Sequence, residues 1–121
     1  MEQDDRNSKF NFEEVSEAFK LGNYKFALEK ILPFVEQEDP NAISYLGLCY
    51  HLGFGVERNG AKALELYKKA IDLGSGGAAH NLGTLYVTDI PGISKDEKLS
   101  KYYYRKAKEM GAQFANDEFY E

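Results

Sequence analysis

The stretch from Asn41 to Gly74 returns, with changes, as Gly77 to Gly111. Leu46-Gly47-x-x-Tyr50 is answered by Leu82-Gly83-x-x-Tyr86, a period of about 36 residues that falls in the range of helical solenoid units. Further on, Gly55-Val56 pairs with Gly92-Ile93, Tyr67-x-x-Ala70 with Tyr104-x-x-Ala107, and Gly74 with Gly111. These later pairs are out of step by one, so the second copy carries an extra residue between Tyr86 and Gly92. A unit of this length cannot bury both its faces alone, so its stability depends on stacking against neighbours. That requirement constrains the fold more than any other feature of the chain.

The matching residues have a recognisable order. Ala42, Leu46, Gly47 and Tyr50 fit a helix with A-x-x-x-L-G-x-x-Y; Gly53-Phe54-Gly55-Val56 fits a G-x-G-V loop; Lys62-Ala63, Tyr67, Lys69-Ala70 and Gly74 fit a second helix with its closing glycine. In this the chain resembles the Sel1-like repeat, a relative of the tetratricopeptide repeat. The second copy departs at Asp89-Ile90-Pro91-Gly92-Ile93 and at Leu99-Ser100, where Lys-Ala is usual. The resemblance implies an all-α, right-handed α–α solenoid used for protein binding, and it brings no catalytic residues.

Along the chain, residues 1–10 read as a flexible acidic lead-in, and 11–121 as one domain with units of about 11–40, 41–75 and 76–111. A partial unit, 112–121, is expected to cap the stack: Ala115 and Phe119 stand in register, while Tyr120 replaces the repeat's glycine. That makes about three helix pairs plus a capping half-repeat. Asn11 followed by Glu14 signals a helix start, with Phe12, Val15, Ala18 and Phe19 on one face. Gly22 ends this helix. A second runs over about 24–37 with Phe26, Ala27, Ile31 and Phe34 or Val35 inward, and Pro33 is expected to bend it rather than stop it. Helices follow over about 41–52, 60–73, 77–87 and 96–110, the last capped by Asp96 in preference to Ser94. Gly47 and Gly83 are expected where the two helices of a pair cross, and Tyr50, Tyr67, Tyr86 and Tyr104 are expected to bury their rings between units.

Composition narrows the function classes. With 43% apolar and 29% charged residues the chain is of ordinary globular type, and no apolar run approaches a membrane span. One cysteine precludes an internal disulfide and suits a reducing, cytoplasmic setting. The formal charge of −5 is concentrated before residue 40. It argues against nucleic acid and for a basic protein partner, though acidity also serves plain solubility. The expectation is a monomer in the free state, with no cofactor and no metal.

Candidate chemistry is sparse. Cys49 and His51 lie two residues apart on one helix, which points them to nearly opposite sides, so they make no nucleophile–base pair. Cys49 reads as a buried thiol. His51 and His80 read either as polar contacts to a partner or a pH-sensitive element, or as ordinary surface histidines. Tyr104 and Tyr103 in Tyr102-Tyr103-Tyr104 are explained by packing; Tyr102 is left over, as outer surface or as a contact.

The framework of the related repeat implies an inner, concave face. It would carry Phe12, Ser16, Phe19 and Lys20, then Asn41, Ser44, Leu48, His51 and Leu52, then Gly77, His80, Thr84, Val87 and Thr88. This mixture suits docking of a protein segment, with Phe12, Phe19, Leu48 and Leu52 as anchors. The reading is a non-enzymatic protein-binding module, narrowed on size and charge to an immunity or antitoxin-type protein neutralising a basic toxin. The alternative is a regulatory adaptor or scaffold; a small hydrolase using either histidine is the contrasting class.

Overall fold

The computed structural model describes residues 10–112. The capping half-unit expected at Ala115, Phe119 and Tyr120, and all of the acidic lead-in but Phe10, lie outside the described residues. Helices α1 (Phe12–Lys20), α2 (Tyr24–Glu36), α3 (Pro40–Leu52), α4 (Gly60–Asp72), α5 (Gly76–Leu85) and α6 (Glu97–Glu109) succeed one another. The described residues contain no strand. The helices pack as antiparallel pairs stacked side by side: α1 with α2, α3 with α4, and α5 with α6, with α2 against α3 and α4 against α5. This is the expected α–α solenoid.

The starts are set by short polar side chains. Asn11, Asp39, Asn59, Ser75 and Asp96 each accept a backbone N–H of the helix that follows, satisfying donors that the first turn leaves open. Asp96, not Ser94, caps α6. Asp39-Pro40 opens α3 as cap and first residue, a role for which proline's missing N–H is no handicap. Helix α2 runs through Pro33 without interruption.

The crossing within each pair is where the repeat's glycines act. A Cβ at Gly47 would lie 2.7 Å from Tyr67 Cε1 and 2.8 Å from Cδ1; at Gly83 the same distances separate it from Tyr104 Cδ1 and Cε1, with Ser100 O at 3.0 Å. The ring of α4 or α6 thus occupies the space that a side chain on α3 or α5 would need. Tyr67 is fully buried and Tyr104 nearly so. The same arrangement in both copies explains why the glycine and the tyrosine recur together.

Several side chains sit elsewhere than expected. Tyr50 and Tyr86 are only half-buried; the fully packed tyrosines are those of the second helix in each pair. Phe26 is 40% exposed, because the inward face of α2 centres on Ala27 and Ile31 and Phe26 stands about 100° away from Ala27. Its ring is covered by the Lys30 ammonium at 5.4 Å instead. Phe10 is buried rather than frayed, its ring 5.5 Å from Phe34 and 5.7 Å from Tyr45.

Candidate functional site: a neutral groove on the inner helices

A groove of about 540 Å³ opens between the start of α1 and the stretches of α3 up to Leu48 and of α5 up to Asn81. Helix α1 contributes Phe12; α3 contributes Asn41, Ser44, Tyr45 and Leu48; α5 and its cap contribute Ser75, Gly77 and Asn81; Ala112 closes one end. Phe12 is 52% exposed, an unusual position for a large ring. None of these described lining residues is charged. Asn81 Nδ2 reaches Ser44 Oγ at 3.4 Å, and Asn41 remains exposed at the rim. The most buried lining residues are Ser44 and Ser75, with Phe12 and Asn41 exposed at the mouth; this neutral mixture of rings, amides and hydroxyls suits an uncharged stretch of polypeptide better than an ion.

Of the expected inner-face residues, Phe12, Asn41, Ser44 and Leu48 are brought together in this groove, as is Gly77. Ser16 and Phe19 support it from behind. Ser16 is hydrogen-bonded to the Tyr45 hydroxyl, and the Phe19 ring stacks on Tyr45 at 5.7 Å and lies 5.5 Å from Phe54. Lys20, Leu52 and Val87 are exposed but line no part of it. Tyr45, Ser75, Asn81 and Ala112 were not anticipated. Tyr45 and Asn81 occupy the same repeat position, next to Ser44 and His80, so a face one residue wider would have included both.

The histidines need correction. His51 is 2% exposed, neither a surface residue nor a contact for a partner. Its Nδ1 is 3.1 Å from Tyr67 Oη and its Nε2 3.1 Å from Thr88 Oγ1. Thr88 gives its own proton to the Thr84 carbonyl at 2.7 Å. This assigns the tautomer: Nε2–H donates to Thr88, and Tyr67 donates to Nδ1. The chain of donors runs from Tyr67 on α4 to His51 on α3, and on to Thr88 in the segment after α5. Arg58 reinforces it, donating from Nε to the His51 carbonyl at 3.0 Å and from Nη2 to the Asp89 carbonyl at 3.4 Å. Burial, then the Arg58 charge, push His51 down to about 4, so the ring is neutral at pH 7.

His80 is half-buried with its ring 5.1 Å from that of Tyr104, and burial lowers its pKa as well. Thr84 donates to the His80 carbonyl at 3.3 Å, which leaves its oxygen to accept from the Tyr104 hydroxyl at 2.8 Å. Thr84 is thus part of the packing and not of the groove. Burial pushes the Cys49 thiol up to about 12, so it stays protonated and unreactive. Among the described residues no group of three or more His, Cys, Asp or Glu stands close enough to hold a metal ion. No helix among them is long and apolar enough to cross a membrane.

A family model for the Sel1 repeat matches residues 40–75 and 77–111, more than half of the chain. The chain belongs to the Sel1 repeat family. A Sel1 repeat protein from Oxalobacter formigenes, known from its crystal structure, is 34% identical with a TM-score of 0.65, over 82% of this chain and 40% of that one. The rat protein DAP3-binding cell death enhancer 1 is 36% identical over 56 residues, 46% of this chain and 11% of that protein. The chain therefore spans less than half the length of these relatives. Sel1 repeats generally mediate protein–protein interaction and are not typically enzymatic.

Proposed function

We propose that this Sel1 repeat chain is a non-enzymatic module that binds a segment of a partner protein in the groove between α1, α3 and α5. The observation that carries the reading is the groove's lining: exposed Phe12 with Leu48 and Tyr45 as apolar anchors, and Asn41 and Asn81 placed to bond a peptide backbone. The net charge of −5 favours encounter with a basic partner. On that basis the narrower reading is an immunity-type protein that neutralises a basic toxin in the cytoplasm; an adaptor role is the alternative. The chain acts as a monomer when free in this proposal.

Affinity capture from the source organism, comparing wild type with Leu48→Glu, tests it. A protein retained by wild type and by the control Glu29→Ala, an exposed position on α2 away from the groove, but lost by Leu48→Glu is the expected result. Identical captured sets for wild type and Leu48→Glu would sink the groove reading. If the captured partner is a toxin, wild type should restore growth and Leu48→Glu should not; a non-toxic partner selects the adaptor.

A further inference from the structure

The outer face of α6 carries a row of cations that the overall acidity conceals. Lys98, Lys101, Arg105 and Lys108 are all exposed, and at about 100° per residue they fall within one third of the helix circumference. Tyr102, 55% exposed, lies in the same arc. Glu97 and Glu109 stand at the two ends of the row, yet no carboxylate of the described residues comes within ion-pair distance of these four cations. The ion pairs formed elsewhere are those of Lys30, Lys62 and Lys69.

The repeat provides an internal control. Helix α4 does for the first copy what α6 does for the second, and the corresponding positions there are Ala61, Leu64, Glu65, Lys68 and Ile71. Only one of these is basic. Leu64 and Ile71 pack against the core in the first copy, whereas their counterparts Lys101 and Lys108 are exposed, so the repeat is built without cations at these positions. Within the helix, Lys98–Lys101, Lys101–Arg105 and Arg105–Lys108 are like-charge neighbours that oppose it, while Glu97–Lys101 and Arg105–Glu109 are opposite-charge neighbours that offset them, so helix formation does not account for the row. Tyr102 is also unlike a loose surface ring: it meets Tyr103 edge-on at 5.0 Å, and Tyr103 stacks on Tyr86 at 6.0 Å. A fixed, half-exposed aromatic amid cations that no carboxylate of the described residues pairs is a preorganised contact.

We infer that this face of α6, separate from the groove, is a second docking surface whose occupant is a short acidic peptide segment of a partner protein. The row spans about 15 Å at 1.5 Å per residue, the length of about five extended residues. Carboxylates on alternate residues of such a segment would meet successive cations, and Tyr102 would pack on its stem. A peptide fits better than nucleic acid, because the row is short and the net charge of −5 repels an extended polyanion.

The test uses the full chain and a fluorescein-labelled octapeptide of alternating Glu and Ser, followed by anisotropy at about 10 mM ionic strength, where charges are weakly screened. Saturable binding is expected. Lys101→Glu with Arg105→Glu should weaken it by about tenfold or more. The matched reversal Lys20→Glu with Lys25→Glu, which alters net charge equally on α1 and α2, should change it by less than about twofold. Tyr102→Ala should weaken binding while leaving its salt dependence unchanged. Far-UV circular dichroism confirms that each variant is folded, which exposed positions permit. No saturable binding, equal weakening by both charge pairs, or tighter binding of an oligothymidylate than of the peptide would overturn the inference.

Discussion

Gly47→Ala offers the sharpest test of how the helix pairs are built, because two known effects act on it in opposite directions. In an ordinary helix interior the change stabilises by about 1 kcal/mol. Here the new methyl would stand 2.7 Å from Tyr67 Cε1, well inside the carbon–carbon optimum of about 3.5–4.0 Å. The ring has no room to retreat: Tyr67 is fully buried and its hydroxyl is held by His51 at 3.1 Å. Overpacking of this kind costs about 1–3 kcal/mol, so the net effect runs from about neutral to a loss of about 2 kcal/mol. Removing the ring should reverse the sign. In a Tyr67→Ala background, Gly47→Ala should stabilise by about 0.5–1 kcal/mol, giving a coupling of about 1–3 kcal/mol. Urea unfolding of the four proteins measures it. Since Tyr67→Ala alone costs about 3–5 kcal/mol, the same cycle at Gly83 and Tyr104, which is less deeply buried, serves as a second reading. A Gly47→Ala effect of the same sign in both backgrounds would refute the reasoning.

Other consequences follow from the buried polar and thiol groups. His51 is depressed from 6.5 to about 4, so between these values the unfolded chain binds a proton that the folded one does not. Stability should therefore rise with pH across that window, by up to about 3 kcal/mol from this group, and His51→Gln should flatten the slope seen by urea titration at a series of pH values. Thr88→Val should cost about 1–3 kcal/mol in denaturant, since it leaves the His51 Nε2–H buried without an acceptor; a neutral result would remove Thr88 from the network. Cys49 should resist a thiol reagent at pH 8 until urea unfolds the chain, and fast reaction in the folded protein would contradict its burial.

Much of this architecture is legible in the residues because the decisive contacts are repeated. A glycine facing a tyrosine on the partner helix occurs twice at nearly one spacing, and five helix starts carry a capping side chain that needs no tertiary context. What escaped is what depends on contacts between units. Nothing local to His51 announces that Tyr67 and Thr88 will take both its nitrogens. The inner face inferred for that helix is one residue too narrow on the Tyr45 side and extends too far toward Leu52, since the groove ends at Leu48 on α3 and at Asn81 on α5. Phe26 was placed inward because it sits beside Ala27 on a strongly apolar helix, yet the helix turns it toward Lys30. The basic row on α6 does not show in the net charge of −5, because acids elsewhere in the chain cancel it.

The central claim is that the neutral groove between α1, α3 and α5 is where a protein segment docks. Amide hydrogen exchange on the chain alone and saturated with its captured partner measures this most directly. Slowed exchange concentrated around Ser44 to Leu48 and Gly77 to Asn81 is the expected result. Protection that spares these segments and falls on the outer helix α4 would contradict it.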